Sequence, residues 1–233
     1  MDTQIRPTIY SKSLAIQVYE LIRRQIGSGE LGPGDRIRES KFTRELAVSR
    51  TPVREALLRL EKDGLVVCSS RRSYNVRRLT VRDVKEIYAT LGILEGAAAR
   101  LAVQALTLDD FRLLKETNQE MDRTASNGDL SEFAGFNHKF HDVFLAKLDN
   151  HIMREVCDSL RALLYVFPAR GNVVAKTLRK SVREHWDIIR LAEAGDGKTV
   201  ESYFRDIHWS PGANVEYIEE AFDFDGKAVL PQA

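Results

Sequence analysis

From Val81 onward, apolar residues recur every three or four positions, and this period limits the possible folds more than any other feature of the sequence. The first such segment has on one helical face Val84, Ile87, Tyr88, Leu91, Leu94, Ala98 and Leu101. Later segments with the same period lie near 109–126, 130–148, 151–166, 173–194 and 198–208. Since a period of 3.6 residues is typical of amphipathic helices, the sequence predicts an all-α bundle of about six helices, packed through their apolar faces.

The N-terminal part of the chain has a different pattern of short elements. One helix is predicted over 14–26, with Ser13 as its N-cap, and a Gly/Pro-rich segment ends it. Two further short helices are predicted, near 41–46 and 50–63, and Gly64 is expected to end the second of these. Two short strands then follow over 65–70 and 74–79, with a polar tip between them. The sequence thus predicts a mainly α protein of three parts: a winged helix-turn-helix unit, a helical domain and a less regular C-terminal tail, over 10–79, 80–209 and 210–233.

Charge is divided unevenly between these parts. Residues 1–79 hold 16 Lys+Arg and 9 Asp+Glu, a net charge of +7. The remainder holds 19 and 25 of the chain's 35 basic and 34 acidic residues, a net charge of −6, and the two add to the overall +1. A basic unit joined to an acidic remainder indicates that only the first meets a polyanion.

Other features of the composition exclude several classes of protein. No stretch approaches about 18 uninterrupted apolar residues, so no membrane span is expected. The first residues lack the apolar core of a signal peptide, which favours a cytoplasmic protein. Cys68 and Cys157 lie far apart, and we expect reduced thiols rather than a disulfide framework or a thiolate zinc site.

Two arginines lie where an isolated helix would not favour them. In VSRTPVREALLRLEKDGLV, which starts at Val48, Arg50 and Arg54 lie in the first turns of the third helix, where the helix dipole is already positive. An arriving anion explains them, because free N–H groups beside arginines bind phosphate and arginine also reads guanine in the major groove. A helix-turn-helix places its second helix in that groove. The alternative is a solvated basic face on a small three-helix domain.

The segments GELGPGDRIRES and VSRTPVREALLRLEKDGLV, with the strand pair after them, resemble the winged helix-turn-helix of the GntR family of bacterial transcription regulators. The resemblance covers nearly all of 10–79 and implies double-stranded DNA as a partner. It also implies that the contacting residues are Arg38, Ser49, Arg50, Thr51, Pro52, Arg54 and Arg72. This chain departs from the family at two positions: Ser73 replaces the usual glycine at the wing tip, and Ala47 replaces a frequent glycine before the third helix.

Three histidines of the predicted bundle fall on apolar faces: His141, His185 and His208. Asn137 lies one turn before the first of them. A buried polar group without a partner costs about 1–3 kcal/mol. One such histidine is more often an ordinary core residue, but three on separate helices favour a metal site, since imidazoles from facing helices form such sites in bundles. His138 and His151 lie off these faces and are predicted at the surface.

The motifs N-x-x-F-H, E-H-x-x-I and A-x-A-G-D, followed by a last histidine, resemble the FCD effector domain of the FadR subfamily of GntR regulators, over about 82–209. The resemblance implies a divalent transition metal (zinc, nickel or manganese), beside a small effector, with the ligands Asn137, His141, His185 and His208. Asn137 stands where aspartate is commoner. Leu91 stands where the family usually has an arginine that contacts the effector, and Arg161 is the remaining candidate for that contact.

These observations predict a transcription regulator, most simply a repressor, and not an enzyme. A small-molecule effector in the bundle would change its affinity for DNA. A homodimer is expected, because a two-fold dimer presents two recognition helices to a pseudo-palindromic operator. One alternative is a metal-responsive regulator, in which the ion itself is the signal. Another is a metalloenzyme, which would need a carboxylate beside the histidines as a general base. We expect none there, because Glu184 and Asp142 fall on neighbouring helix faces.

Overall fold

The structure is a computed structural model that describes residues 13–69, 73–127, 130–166 and 173–222. The chain divides into two compact units, with the boundary between Arg78 and Leu79. None of the helices in the described residues combines the length and apolar character that a membrane crossing requires.

The N-terminal unit contains three helices and a small antiparallel sheet. Its elements are α1 (Leu14–Gly27), β1 (Arg36–Ile37), α2 (Glu39–Glu45), α3 (Arg50–Lys62), β2 (Val66–Ser69) and β3 (Ser73–Val76). The strand order is β1-β3-β2, with Ile37 opposite Tyr74 and Cys68 opposite the same tyrosine. The predicted winged helix-turn-helix is therefore confirmed. Strand β1 was not predicted, because two residues are too short to show an alternating pattern.

The local signals at the ends of α1 and α3 act as predicted. Ser13 caps α1, and its hydroxyl accepts a hydrogen bond from the Ile16 N–H. Gly64 adopts a left-handed conformation with φ of 75° after α3, and the Leu65 N–H then donates to the Leu60 carbonyl. The apolar face of α3 is fully buried, and its members are Val53, Ala56, Leu57 and Leu60.

The C-terminal unit is all α, as predicted. Its helices are α4 (Val81–Ala102), α5 (Leu108–Asn127), α6 (Leu130–Leu145), α7 (His151–Val166), α8 (Val173–Glu193), α9 (Gly197–Tyr203) and α10 (Val215–Phe222). A single π turn, Phe204–His208, follows α9. Asp196 caps α9, and its side chain accepts a hydrogen bond from the Thr199 N–H.

The prediction of a less regular tail after residue 209 is wrong for its first part. Helix α10 lies there, and it buries Ile218, Ala221 and Phe222. The sequence pattern did not reveal this helix, because eight residues span only about two turns and give little periodicity. The remainder of the tail, from residue 223, lies outside the described residues.

Two glycines of α4 bring the last elements of the bundle close to that helix. A Cβ atom on Gly96 would lie 2.9 Å from the Glu201 carbonyl oxygen, and one on Gly92 would lie 3.2 Å from the Arg205 Cα. The distance at Gly96 is too short for any side chain, whereas one at Gly92 would require the Arg205 backbone to shift by a few tenths of an ångström. The glycines therefore let α9 and the π turn lie directly against α4. Because of this close packing, the Glu95 carboxylate on α4 lies 2.8 Å from the Trp209 indole nitrogen.

Candidate functional site

The first turns of α3 present polar side chains to solvent. Arg50, Thr51 and Arg54 are exposed there, and Pro52 is half-buried. Ser49 occupies the N-cap position, but its hydroxyl makes no capping hydrogen bond. Within the described residues, no carboxylate lies within ion-pair distance of Arg50 or Arg54. The helix thus carries uncompensated positive charge at its own positive end, as an anion-binding surface requires.

Residues from four elements, β1, α2, α3 and β3, line one concave surface beside this helix end. They are Arg36, Ile37, Arg38, Glu39, Ser40, Arg50 and Ser73. Two arginines of the groove, Arg38 and Arg50, are among the contacts that the family resemblance implied; Arg72 lies outside the described residues. Arg36 was missed by the sequence reasoning. Its spacing of two from Arg38 was the available signal, since such residues share a face of an extended strand.

The three predicted histidines converge in the core of the bundle. His141 on α6, His185 on α8 and His208 on the π turn are all buried. Each offers a ring nitrogen, and these nitrogens lie within 4.8 Å of one another. The Nε2 atoms of His141 and His208 are 3.4 Å apart. Asn137 is also buried, on the same face of α6, one turn before His141.

Buried carboxylates hold the opposite nitrogens of two of these rings. Glu95 Oε2 lies 2.7 Å from His141 Nδ1, and Glu184 Oε2 lies 2.9 Å from His208 Nδ1. A carboxylate at Nδ1 favours the tautomer with its proton there, which leaves the Nε2 lone pair directed at the centre. This pairing is the usual way in which proteins orient histidine ligands of a metal.

The expectation that no carboxylate lies beside the histidines is therefore wrong. Glu184 was expected on a neighbouring face of α8, but it is only 7% exposed and contacts His208. Glu95 was not singled out at all, although it lies four residues after Leu91 and three before Ala98, on the buried face of α4. That spacing was the available signal.

Of the three histidines, His185 has the environment that most favours a bound ligand. Its ring stacks on Phe140, with centroids 3.8 Å apart and planes 3° from parallel. The residue is fully buried, and neither ring nitrogen has a hydrogen-bond partner among the described residues. Two such nitrogens are costly in a core. A metal ion bound between the three rings would provide the missing interaction, so these residues fit the predicted centre.

The protonation states also suit metal binding. Burial lowers the pKa of His141 to about 4 and lowers the pKa of His185 well below its usual value. Both rings are therefore neutral near pH 7 and offer lone pairs. Burial alone would raise the pKa of Glu95, but His141 and Arg161 outweigh that effect and lower this pKa to about 2. Glu95 is thus ionised inside the bundle.

Arg161 lies near Oε1 of Glu95, whereas His141 lies near Oε2 of the same carboxylate. Arg161 is fully buried, with Nη1 3.5 Å from Glu95 Oε1 and Nη2 2.5 Å from Asp158 Oδ1. The guanidinium therefore neighbours the histidine centre through a shared carboxylate. Leu91, at the position where the family usually has arginine, is buried.

A second group with metal-ligand chemistry lies between α6 and α7. It comprises His138, Asp142 and Asp158. Arginines already compensate its carboxylates, since Arg161 pairs with Asp158 and the Arg154 Nε lies 3.7 Å from Asp142. The His138 side chain is 45% exposed, and its Nε2 is 3.8 Å from Asp158. We interpret this group as an ion-pair network at the surface.

The comparisons with known proteins match both parts of the chain to known families. The model of the FCD domain matches residues 86–207, and that of the gntR family of bacterial regulatory proteins matches residues 14–76. The transcriptional regulator YdhC of Bacillus subtilis is 29% identical over 184 residues, 77% of this chain and 79% of its own. The transcriptional repressor RspR of Escherichia coli is 24% identical over 201 residues, 86% of this chain and 87% of its own.

A solved structure of E. coli McbR/YncC has the same fold. The match has a TM-score of 0.72 and 23% identity, and it covers 91% of this chain and 100% of that one. Both kinds of similarity extend over the DNA-binding unit and the bundle together.

Proposed function

Because the chain belongs to the GntR family of bacterial transcription regulators and carries an FCD domain, we propose that it is a repressor controlled by a small-molecule effector bound beside a metal in its bundle. In this proposal the protein is a member of the FadR subfamily and acts in the cytoplasm. The observation that carries the regulatory half is the convergence of three buried histidines, one with both nitrogens unpartnered. That a relative, RspR, is a repressor supports the direction of control.

The DNA-binding half rests on the exposed end of α3. Arg50 reads a guanine in the major groove, and Ser49, Thr51, Pro52 and Arg54 lie against the backbone or neighbouring bases. Arg38, from the same groove as Arg50, contacts phosphate, and we extend this role to Arg72, as the family resemblance implies. A homodimer presents two copies of α3 to the two halves of a pseudo-palindromic operator.

In the bundle, Nε2 of His141, Nε2 of His208 and one nitrogen of His185 would hold the metal, and the Asn137 side chain would offer an oxygen. Imidazole and amide ligands suit zinc, nickel or manganese. When bound there, such an ion would supply Lewis acidity. The fixed carboxylates of Glu95 and Glu184 hold two of the rings in place.

The effector site extends from the histidines toward Arg161. An anionic group of the effector would compete with Asp158 for this guanidinium, because the Asp158 side chain is 38% exposed whereas Glu95 is 3% exposed. The apolar Leu91 replaces the usual arginine on α4, so the effector makes fewer charged contacts on that side. This arrangement favours an effector with one anionic group and an apolar remainder.

Selection of genomic DNA fragments by the purified protein tests the DNA-binding half. We expect one sharply enriched pseudo-palindromic site, with affinity that falls steeply as salt rises. The selection is repeated after removal of metal and after its return, without any organic effector. If DNA affinity follows the metal alone, the metal-responsive alternative replaces our proposal. No enrichment at low salt, where phosphate contacts are strongest, would contradict the assigned role of the N-terminal unit.

The substitution His185→Leu tests the metal centre. In metal-free protein we expect it to leave stability unchanged or raised, because it removes two buried nitrogens that have no partner. Added metal at 100 times Kd should stabilise the wild type by about 2.7 kcal/mol and the variant not at all. His151→Ala is the control, since His151 is exposed at the start of α7. Equal stabilisation of His185→Leu and wild type by metal would refute the centre.

A further inference from the structure

A closed ring of polar contacts joins His208 to the start of α10. The His208 Nδ1 pairs with Glu184 Oε2 at 2.9 Å, and Glu184 Oε1 lies 2.6 Å from Lys180 Nζ. The same Nζ donates to Asn214 Oδ1 at 2.8 Å, and Asn214 Nδ2 donates back to the His208 carbonyl at 3.0 Å. We call these four residues the His208 ring. It holds both the side chain and the backbone of a histidine in the proposed centre.

Asn214 connects two stretches of main chain. Its carbonyl accepts from the Ile218 N–H in the first turn of α10, and its side chain also donates to the Ser210 carbonyl at 2.9 Å. The residue is 6% exposed. Just before it, the Trp209 N–H donates to the Phe204 carbonyl, five residues earlier, as a π turn requires. The amide therefore fixes the chain that leaves the π turn and enters α10.

Helix α10 depends on its docking for stability. A helix of eight residues is not stable alone in water. Its exposed ion pairs, Lys85–Glu219 and Lys176–Glu216, contribute little because both partners are solvated. Its apolar residues and the buried amide of Asn214 remain as the main attachments. If His208 moves, its hydrogen bond with Asn214 changes. Since Asn214 is one of the main attachments of α10, the docking of this helix changes as well.

We propose that Lys180 and Asn214 are positioning residues, which couple the orientation of His208 to the docking of α10. Filling the histidine centre holds His208 in place and tightens α10, whereas emptying it loosens the helix. Coupling of this kind is reciprocal, so an undocked α10 also lowers the affinity of the centre. The inference rests on the metal centre proposed above. It adds that the C-terminal helix responds to the occupancy of that centre.

Hydrogen–deuterium exchange of the full chain tests the coupling, with Zn²⁺ as the probe. We compare exchange in 215–222 for metal-stripped and zinc-loaded protein, and we measure zinc affinity separately by calorimetry. In the wild type, zinc should slow exchange in this segment about 5-fold or more. Lys180→Met keeps the aliphatic stem but opens the His208 ring. It should lower zinc affinity about 10-fold and abolish the zinc-dependent slowing.

Lys176→Met is the matched control. Lys176 lies one turn earlier on the same helix and pairs with Glu216 of α10, but among the described residues its side chain forms no hydrogen bond or ion pair with the His208 ring. This variant should keep both the zinc affinity and the zinc-dependent slowing. Asn214→Ala provides a second opening of the ring if Lys180→Met does not fold, and far-UV circular dichroism decides which variants are compared.

The outcomes separate the two proposals. If wild-type protein binds zinc but 215–222 exchanges equally in both states, the coupling is refuted and the centre stands. The coupling is also refuted if Lys180→Met and Asn214→Ala respond to zinc as Lys176→Met does. If the wild type binds no zinc, nickel or manganese, the centre itself fails, and the coupling fails with it.

Discussion

Replacing Glu95 by alanine should destabilise the bundle strongly, because this carboxylate has three buried partners. It accepts from the Trp209 indole at 2.8 Å, contacts His141 Nδ1 at 2.7 Å and lies 3.5 Å from Arg161. Its side chain is 3% exposed. Water therefore cannot take the place of the lost oxygen atoms unless the core opens.

The expected size follows from these contacts. Leaving the indole N–H without an acceptor costs about 1–3 kcal/mol. Breaking a buried ion pair by removing one partner costs about 3–5 kcal/mol. The second cost is reduced here, because Asp158 remains 2.5 Å from Arg161. We therefore expect Glu95→Ala to lower the free energy of unfolding by about 4 kcal/mol, or roughly 8–16 °C in Tm.

Tryptophan fluorescence measures this change in the bundle alone. The chain has two tryptophans, Trp186 and Trp209, and both lie in the C-terminal unit. Metal-free protein is unfolded in urea, with circular dichroism as a second signal because Trp209 contacts Glu95. Glu193→Ala is the control, since Glu193 forms an exposed pair with Lys115 and should change stability by less than about 1 kcal/mol. If Glu95→Ala also stays within about 1 kcal/mol of wild type, our account of this buried network is wrong.

Three further predictions, which use four substitutions, test other parts of the molecule. Arg50→Ala should weaken operator binding by about 1–3 kcal/mol and relax preference at one base pair; unchanged affinity and selectivity in a titration over operator variants would contradict its role. Ala47→Gly should stabilise the N-terminal unit by about 1 kcal/mol, because exposed Ala47 has a φ of 51°, which disfavours any side chain. Thermal unfolding measures this change, and a loss of stability would refute the predicted strain at Ala47. Gly96→Ala should cost about 1–3 kcal/mol, since its Cβ would lie 2.9 Å from a backbone oxygen. Gly135→Ala on α6 should gain about 0.5–1 kcal/mol, because among the described residues its Cβ would meet nothing within 4 Å apart from nearby backbone of its own helix and its two chain neighbours. Equal effects of the two substitutions in urea unfolding would contradict the close packing of α4 and α9.

Much of the fold was readable because each element carries a local signal. The 3.6-residue period located the larger helices of the bundle, and the cap at Ser13 and the glycine at 64 marked helix ends. Elements without enough length for a period were missed, namely β1 and α10. The π turn, Phe204–His208, was predicted as part of a regular α-helix. A π turn has one extra residue, which does not visibly change the spacing of apolar residues in so short a segment.

The candidate site was readable only in part. A histidine on an apolar face is conspicuous in a sequence, because it contradicts the surrounding residue types, and all three such histidines meet in the structure. The carboxylates that orient them were not recognised. Glutamate is so common on helix surfaces that Glu95 and Glu184 carry no comparable signal, even though Glu95 falls on the buried period of α4.

The sequence by itself determined which residues are apolar, charged or able to bind a metal, and at what spacing along each helix. These properties are local, so they identify the two domains, the basic helix end and the three histidines without any knowledge of tertiary contacts. Only the tertiary structure decided which polar groups share the core. Glu95, Arg161 and His141 come from three different helices, and their pairing depends on how α4, α6 and α7 pack. Burial then makes that pairing obligatory, because a charge removed from water needs a partner wherever packing puts it.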